Sequence, residues 1–234
     1  KVQQIGAGLD QTSIGSTWAI VGQPWGVLKG TKYARTADGQ LRINAAGLPY
    51  SDDNSNILGN TTADWLGSIT NQFHYKQFGL SFYFDTRQGG KIQNSDDGYN
   101  LYYGVSKITE NRADRVVKGI SDETGQSNTV SVTAQKYYQQ ISGITEAVIQ
   151  DASYIKLRNV SLSYNMGEKA LRSLPFKNAS IVLTGRNLWI HKSSSFTGAD
   201  PEANSWGNGN SSVGLYSFTA PTSRSYDCTI KLTF

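Results

Sequence analysis

Tyr226-Asp227-Cys228-Thr229-Ile230-Lys231-Leu232-Thr233-Phe234 alternates apolar and polar side chains without a slip. Successive side chains of a strand point to opposite faces. Tyr226, Cys228, Ile230, Leu232 and Phe234 therefore share one face, and Asp227, Thr229, Lys231 and Thr233 the other. A soluble sheet with one wet face satisfies that pattern. A strand with lipid on one side and an aqueous lumen on the other satisfies it equally. The aromatic last residue favours the second reading, because a terminal strand finishing in Phe is the expected closing strand of an outer-membrane barrel.

Upstream, the same parity recurs in a hairpin between Gly67 and Gln93. In its first arm Ile69, Phe73 and Tyr75 oppose Thr70, Gln72 and His74. In its second arm Phe78, Leu80, Phe82 and Phe84 oppose Ser81, Tyr83 and Asp85, across a tight Lys76-Gln77 turn. In water, so long an aromatic face needs a second layer to cover it. His74 falls on the polar face, where a solvated imidazole is expected rather than a catalytic one.

The remaining segments read as follows. Residues 1–65 are strands separated by polar loops. Asp97 to Arg112 has helix-compatible spacing at Tyr99, Tyr102, Tyr103 and Ile108. Gly119 to Asn128 is a polar loop, and Val130 to Tyr138 is strand material. Ala152 to Met166 is a strand that changes phase: Ile155 and Leu157 lie on one parity, Val160, Leu162 and Tyr164 on the other. A bulge near Arg158-Asn159 repairs its register. Gly167 to Leu174 is a short helix or turn ended by Pro175, Asn178 to Ile190 is a strand, and Ser193 to Ala220 is a long loop. Short turns alternate with long polar connections, the asymmetry of outer-membrane barrels.

Composition supports a mainly β chain: of 234 residues, 13 are Tyr and 5 Trp, aromatics reach 11% and hydrophobics only 38%. No stretch approaches the length of a spanning helix, a test that leaves barrel strands of about 9–11 residues untouched. The net charge of +4 is spread without basic runs, which argues against nucleic-acid binding. Lys1-Val2-Gln3-Gln4 has none of the segments of a secretory signal, so an exported protein is expected here as a mature chain or a carboxyl-terminal piece.

Catalytic templates find no match: there is no Gly-x-Ser-x-Gly, no His-Glu-x-x-His, no phosphate-binding Gly-x-x-x-x-Gly-Lys and no cysteine pair. Asp52-x-Asn54-x-Asn56 starts like a calcium loop. However, Ile57 stands where the turn wants Gly, and Ala63 where the bidentate Glu belongs. Carboxylate pairs such as Asp96-Asp97 and Asp122-Glu123 lie in polar loops and read as solvated turns. The expectation is no enzyme, no metal and no cofactor. Trp206, isolated among Asn, Ser and Gly, is the candidate substrate or partner contact, with packing against a rim as its plainer explanation.

Several segments together resemble the SusC/RagA family of TonB-linked outer-membrane transporters. Gly59-Asn60-Thr61-Thr62, Ser68 to Tyr75, and Phe78 to Ile92 are similar to a late-barrel hairpin of that family. Asp151 to Tyr164, Thr184-Gly185-Arg186-Asn187-Leu188-Trp189, Gly198-Ala199-Asp200-Pro201-Glu202 and Ser223-Arg224-Ser225-Tyr226 continue its order over nearly the whole chain. The resemblance implies a barrel of about 22 strands with a plug. It implies import of glycans or peptides across the cell outer membrane of a Gram-negative bacterium, driven through the TonB complex, with a SusD-like lipoprotein as lid.

On this reading residues 1–234 are the carboxyl-terminal segment of the receptor barrel, with plug and earlier strands absent. The expected fold is all-β: an antiparallel transmembrane β-barrel portion of about seven or eight strands, with long extracellular loops and one or two short helices. Phe78, Leu80, Phe82, Phe84, Tyr226, Ile230 and Leu232 would face outer-membrane lipid, and Phe234 would signal to the barrel assembly machinery. Open sheet edges cost several kcal/mol per unpaired backbone group in lipid, so the rest of the barrel and plug must come from another polypeptide or from the remainder of a longer chain. The competing expectations are a secreted soluble β-sandwich that binds carbohydrate through aromatics such as Trp206, and an adhesin or filament subunit completed by a donated strand.

Overall fold

The computed structural model describes residues 1–6, 8–167, 171–173, 175–203 and 213–234. The chain divides into two compact units, one made of residues 63–89, 153–193 and 220–234, the other of residues 1–62, 90–152 and 194–219.

The first unit is a wall of five long strands: Trp65–Tyr75, Phe78–Gln88, Tyr154–Asn165, Asn178–Lys192 and Ser225–Thr233. Each pairs antiparallel with its neighbour in chain order, so the sheet is a meander. The strands run 11, 11, 12, 15 and 9 residues, the length that a tilted strand needs to cross a bilayer. Five strands build this sheet rather than the seven or eight expected. The difference arises because the stretches counted from residues 1–65 pair among themselves in the other unit.

The predicted turn and bulge are both present. Lys76 adopts a left-handed φ of 53° in the two-residue turn between the first two wall strands, which brings Tyr75 opposite Phe78. In the third strand the register slips between Leu157 and Asn159 toward both neighbours. One extra residue keeps Leu157 and Val160 on the same face although their sequence parity differs. Across from the slip, Asn187 of the fourth strand takes a left-handed φ of 52°. The connections also alternate. Residues 76–77 and 166–177 link strands at one end of the wall, whereas residues 89–153 and 193–224 leave from the other.

The described residues of those long connections are folded, and together with residues 1–62 they make the second unit. Its largest sheet orders Gln11–Ile14, Thr17–Ile20, Val27–Gly30 and Asn56–Asn60, all antiparallel. A second sheet places Lys91–Asn94 between Ile149–Asp151 and Leu215–Tyr216. Short pairs join Arg42–Ile43 to Ile120–Ser121 and Arg115–Val116 to Ser131–Val132. Ile120–Ser121 and Leu215–Tyr216 interrupt stretches expected to be plain loops.

Two helices pack together here, α1 (Ser95–Tyr102) and α2 (Ala134–Ser142). α1 overlaps only the first part of the helical spacing expected from Asp97 to Arg112: it begins at Ser95 and ends at Tyr102, and beyond it in that stretch only the 3-10 turn Lys107–Thr109 is helical. α2 corrects the expectation of strand from Val130 to Tyr138: only Ser131–Val132 is extended. The Thr133 hydroxyl accepts the Lys136 N–H at 3.3 Å, and Ala134, Tyr138 and Ile141 bury one helical face. Leu101, Tyr138, Ile141 and Val148 form one apolar cluster, while Ile43, Val117 and Val132 form another. The helix or turn expected between Gly167 and Leu174 lies largely outside the described residues.

Candidate functional site: a two-faced strand wall

Register across the five strands shows what the wall presents. Phe73, Leu80, Leu162, Leu183 and Cys228 stand side by side in one transverse row. Tyr75, Phe78, Tyr164, Ile181 and Ile230 form the next. One residue along, every side chain turns to the other face, where Gln72, Ser81, Ser161, Thr184 and Asp227 make a polar row.

The apolar rows are open to the surroundings. Tyr226 is 77% exposed and Ile230 63%, and Phe78, Leu80 and Leu232 are exposed as well. Phe82 and Phe84 are half-buried because they pack against each other edge-on, with ring centroids 5.8 Å apart. All seven residues expected to face lipid therefore lie on this one face. The structure extends it with Ile69, Phe73, Leu162, Leu183 and Trp189, which are also exposed. A sandwich would cover such rows with a second sheet.

The polar face is built differently. Arg158, released from the ladder by the bulge, donates from Nε and Nη2 to the two carboxylate oxygens of Asp85, both at 2.8 Å. Such a fork fixes geometry as well as charge. Arg186 pairs with Asp227 at 3.2 Å between the fourth and fifth strands. The Ser161 and Thr184 hydroxyls meet at 3.0 Å, and Ser163 donates to the Gly79 carbonyl at 3.3 Å. A Cβ at Gly79 would meet the Ser163 Oγ at 2.5 Å, so a side chain there would displace that hydroxyl. A cleft of about 210 Å³ lined by Gln72, His74, Ser81, Ser161 and Ser163 opens on this face. His74 therefore sits on the polar side, as its parity requires.

Phe234 follows the fifth strand, 72% exposed, with its ring against Phe176 at 5.1 Å. Trp206 lies outside the described residues. In the calcium-like loop, Asp52 accepts hydrogen bonds from Asn56 Nδ2, the Asn54 N–H and the Lys32 N–H. These hold its carboxyl below the usual carboxylate range against a burial effect that raises it. No group of three or more metal-ligating side chains occurs among the described residues. No described helix is long and apolar enough to cross a membrane.

In the second unit, a cavity of about 500 Å³ opens beside α1, with Tyr99, Tyr102, Tyr103, Ser142 and Thr145 in its lining. Sequence reading missed it. The available signal was the tyrosine triplet, but its partners come from residues some forty positions away, at the end of α2. Beneath α1, Asp97 is buried and accepts from Gln150 Nε2 at 2.9 Å and Ser106 Oγ at 3.4 Å. Burial raises its pKa, and these hydrogen bonds with that of Thr197 offset only part of the rise. Glu146 takes two hydrogen bonds from Arg35, at 2.8 and 2.9 Å, and one from the Tyr33 N–H at 2.8 Å. Burial raises its pKa, but these donors outweigh it and the net shift is downward.

No family model matches the chain. Among curated proteins it is 28% identical to TonB-dependent receptor P26 of Formosa agariphila over 94% of the chain. It is 27% identical to TonB-dependent receptor P3 of the same organism over 76%. The chain spans 24% and 17% of those two relatives, about a quarter of their length or less. Among solved structures, the RagAB peptide importer in its open-open state superposes with a TM-score of 0.67 over 99% of the chain and 25% of the matched chain, at 16% identity. The closed-closed state of the same importer gives a TM-score of 0.63. These neighbours share the fold of the wall and of its folded connections, an antiparallel barrel section that this chain leaves open. In sequence the chain is similar to the TonB-dependent receptors that it matches, and in fold it is similar to a section of the RagAB importer.

Proposed function

We propose that this chain forms part of the wall of a TonB-dependent importer in the outer membrane of a Gram-negative bacterium, and that it is not an enzyme. The observation that carries this reading is the five-strand face of exposed Leu, Ile, Phe and Tyr backed by a face of Ser, Thr, Gln and paired charges. A bilayer stabilises the first and a wet lumen the second. The relatives named as TonB-dependent receptors support the same reading.

The wall has two edges, Trp65–Tyr75 and Ser225–Thr233, each with one side that no strand among the described residues pairs. Backbone groups in hydrocarbon must be paired internally, so the remaining strands and the plug come from outside residues 1–234, with residues 1–234 as the carboxyl-terminal part of the barrel. TonB acts through that plug, a SusD-like lipoprotein closes the outer mouth, and the cargo is a glycan or a peptide. Phe234 serves the assembly machinery, and Trp206 contacts cargo or partner.

Fractionation tests the placement. A polypeptide carrying this segment, made in a Gram-negative host, should sediment with outer membranes, require detergent for extraction and run with further strands in the same particle. A monodisperse 25.6 kDa monomer, obtained without detergent and with no companion polypeptide in its intact mass spectrum, would falsify the reading.

A further inference from the structure

The cavity beside α1 combines two kinds of lining. Tyr99, Tyr102 and Tyr103 line it at positions i, i+3 and i+4, while Asp97 and Leu101 turn inward, so the helix spends its outer face on aromatic rings. All three tyrosines are exposed, with Tyr103 edge-on to Tyr102 at 5.1 Å and Tyr99 against Phe218 at 5.5 Å. Exposed rings held by one another lose little freedom when a ligand lands on them. Around them stand Gln93, Ser95, Ser142 and Thr145, which offer amide and hydroxyl groups. Gly98 and Gly143 leave room beside the rings. None of the described residues lining the cavity carries a formal charge.

We propose that this cavity binds a neutral saccharide. A sugar ring presents an apolar C–H face, which a tyrosine ring matches, and a rim of hydroxyls that both donate and accept, which Gln, Ser and Thr match. A free peptide brings charged termini, for which this lining has no counter-charge. The volume of about 500 Å³ lies within that of ordinary ligand sites, which run from about 300 to 1,000 Å³. The inference rests on the importer reading only for the ligand being cargo. Binding itself belongs to the second unit alone.

Calorimetric titration of the detergent-extracted protein tests it. The probes are α- and β-linked glucose hexasaccharides and, as a neutral peptide, acetylated and amidated pentaalanine. One hexasaccharide should bind, Tyr102→Ala should weaken it at least tenfold, and Tyr102→Phe should stay within threefold because the ring face is kept. Tyr99→Ala gives an independent second truncation at an exposed position that cannot cost a core. Pentaalanine binding with the same tyrosine sensitivity, saccharide binding indifferent to both Tyr→Ala changes, or no hexasaccharide binding at all would each overturn the proposal. Outer-membrane fractionation of Tyr102→Ala is unaffected in every case, so failure here and failure of the wall reading are told apart.

Discussion

The wall and the second unit handle apolar surface in opposite ways. Of the buried apolar residues described, only Tyr154, Leu171 and Ala179 belong to the wall, and all others lie in the second unit. There Leu28, Ile43 and Leu101 are almost fully enclosed. The second unit has clusters of its own and a polar network of buried Asn94, Asp97 and Gln150 joined to the exposed Thr197. The wall has hydrogen-bond ladders, the ion pairs Arg158–Asp85 and Arg186–Asp227, and a greasy face turned outward. A protein unit that leaves its apolar rows uncovered depends on its surroundings to stabilise it, whereas a unit with enclosed clusters carries that stabilisation within its own chain.

The sharpest way to break this contrast is to damage each unit by its own rule. Leu101→Ala removes a side chain enclosed by Tyr138, Ile141 and Val148, and should destabilise the second unit by about 2–5 kcal/mol. Hydrogen exchange should show lost protection in α1 and α2 with the wall ladders unchanged. Uniform loss across both units would mean that they are not separately stabilised.

Ile230→Lys applies the wall's rule and should cost about 2–4 kcal/mol if the residue sits near the bilayer midplane. Thr229→Lys, one position away on the polar face, should fall within about 0.5 kcal/mol, the range of surface substitutions. Outer-membrane yield of the two variants reads the difference. Equal yields would erase the distinction between the faces.

The smallest effect concerns acid. Glu146 is held below its ordinary value of 4.5, so its contribution is present above that pH and is lost as pH falls through the folded value. Asp97 is shifted upward and acts oppositely, gaining stability as the pH falls. The protection factor of the Tyr33 amide, which donates to Glu146, should therefore drop below about pH 4.5 while amides around Asp97 hold. Glu146→Gln should remove the pH dependence at Tyr33, and a pH-independent Tyr33 in the unchanged protein would refute the assignment.

Much of the wall was legible because its signals are local. A period of two, a two-residue turn at Lys76-Gln77 and a parity change near Arg158 each lie within a dozen residues, and each specifies one strand's faces without reference to a distant partner. The tyrosine triplet of α1 was visible for the same reason. α2 was misread because Val130 and Val132 continue an extended pattern up to Thr133, and the helix is decided by that cap and by burial of Tyr138 and Ile141 against α1.

From its own order of residues the chain determines a wall with one apolar face and one polar face, since alternation alone assigns each side chain to a face. Tertiary structure decided that the connections are a folded unit rather than loops, and that a tyrosine-lined cavity opens there. Its ties join positions far apart, Arg35 to Glu146 and Thr31 to Thr145, and no local periodicity encodes such a pairing. They form only when three separated stretches enclose apolar clusters together, and that enclosure is a property of the folded chain.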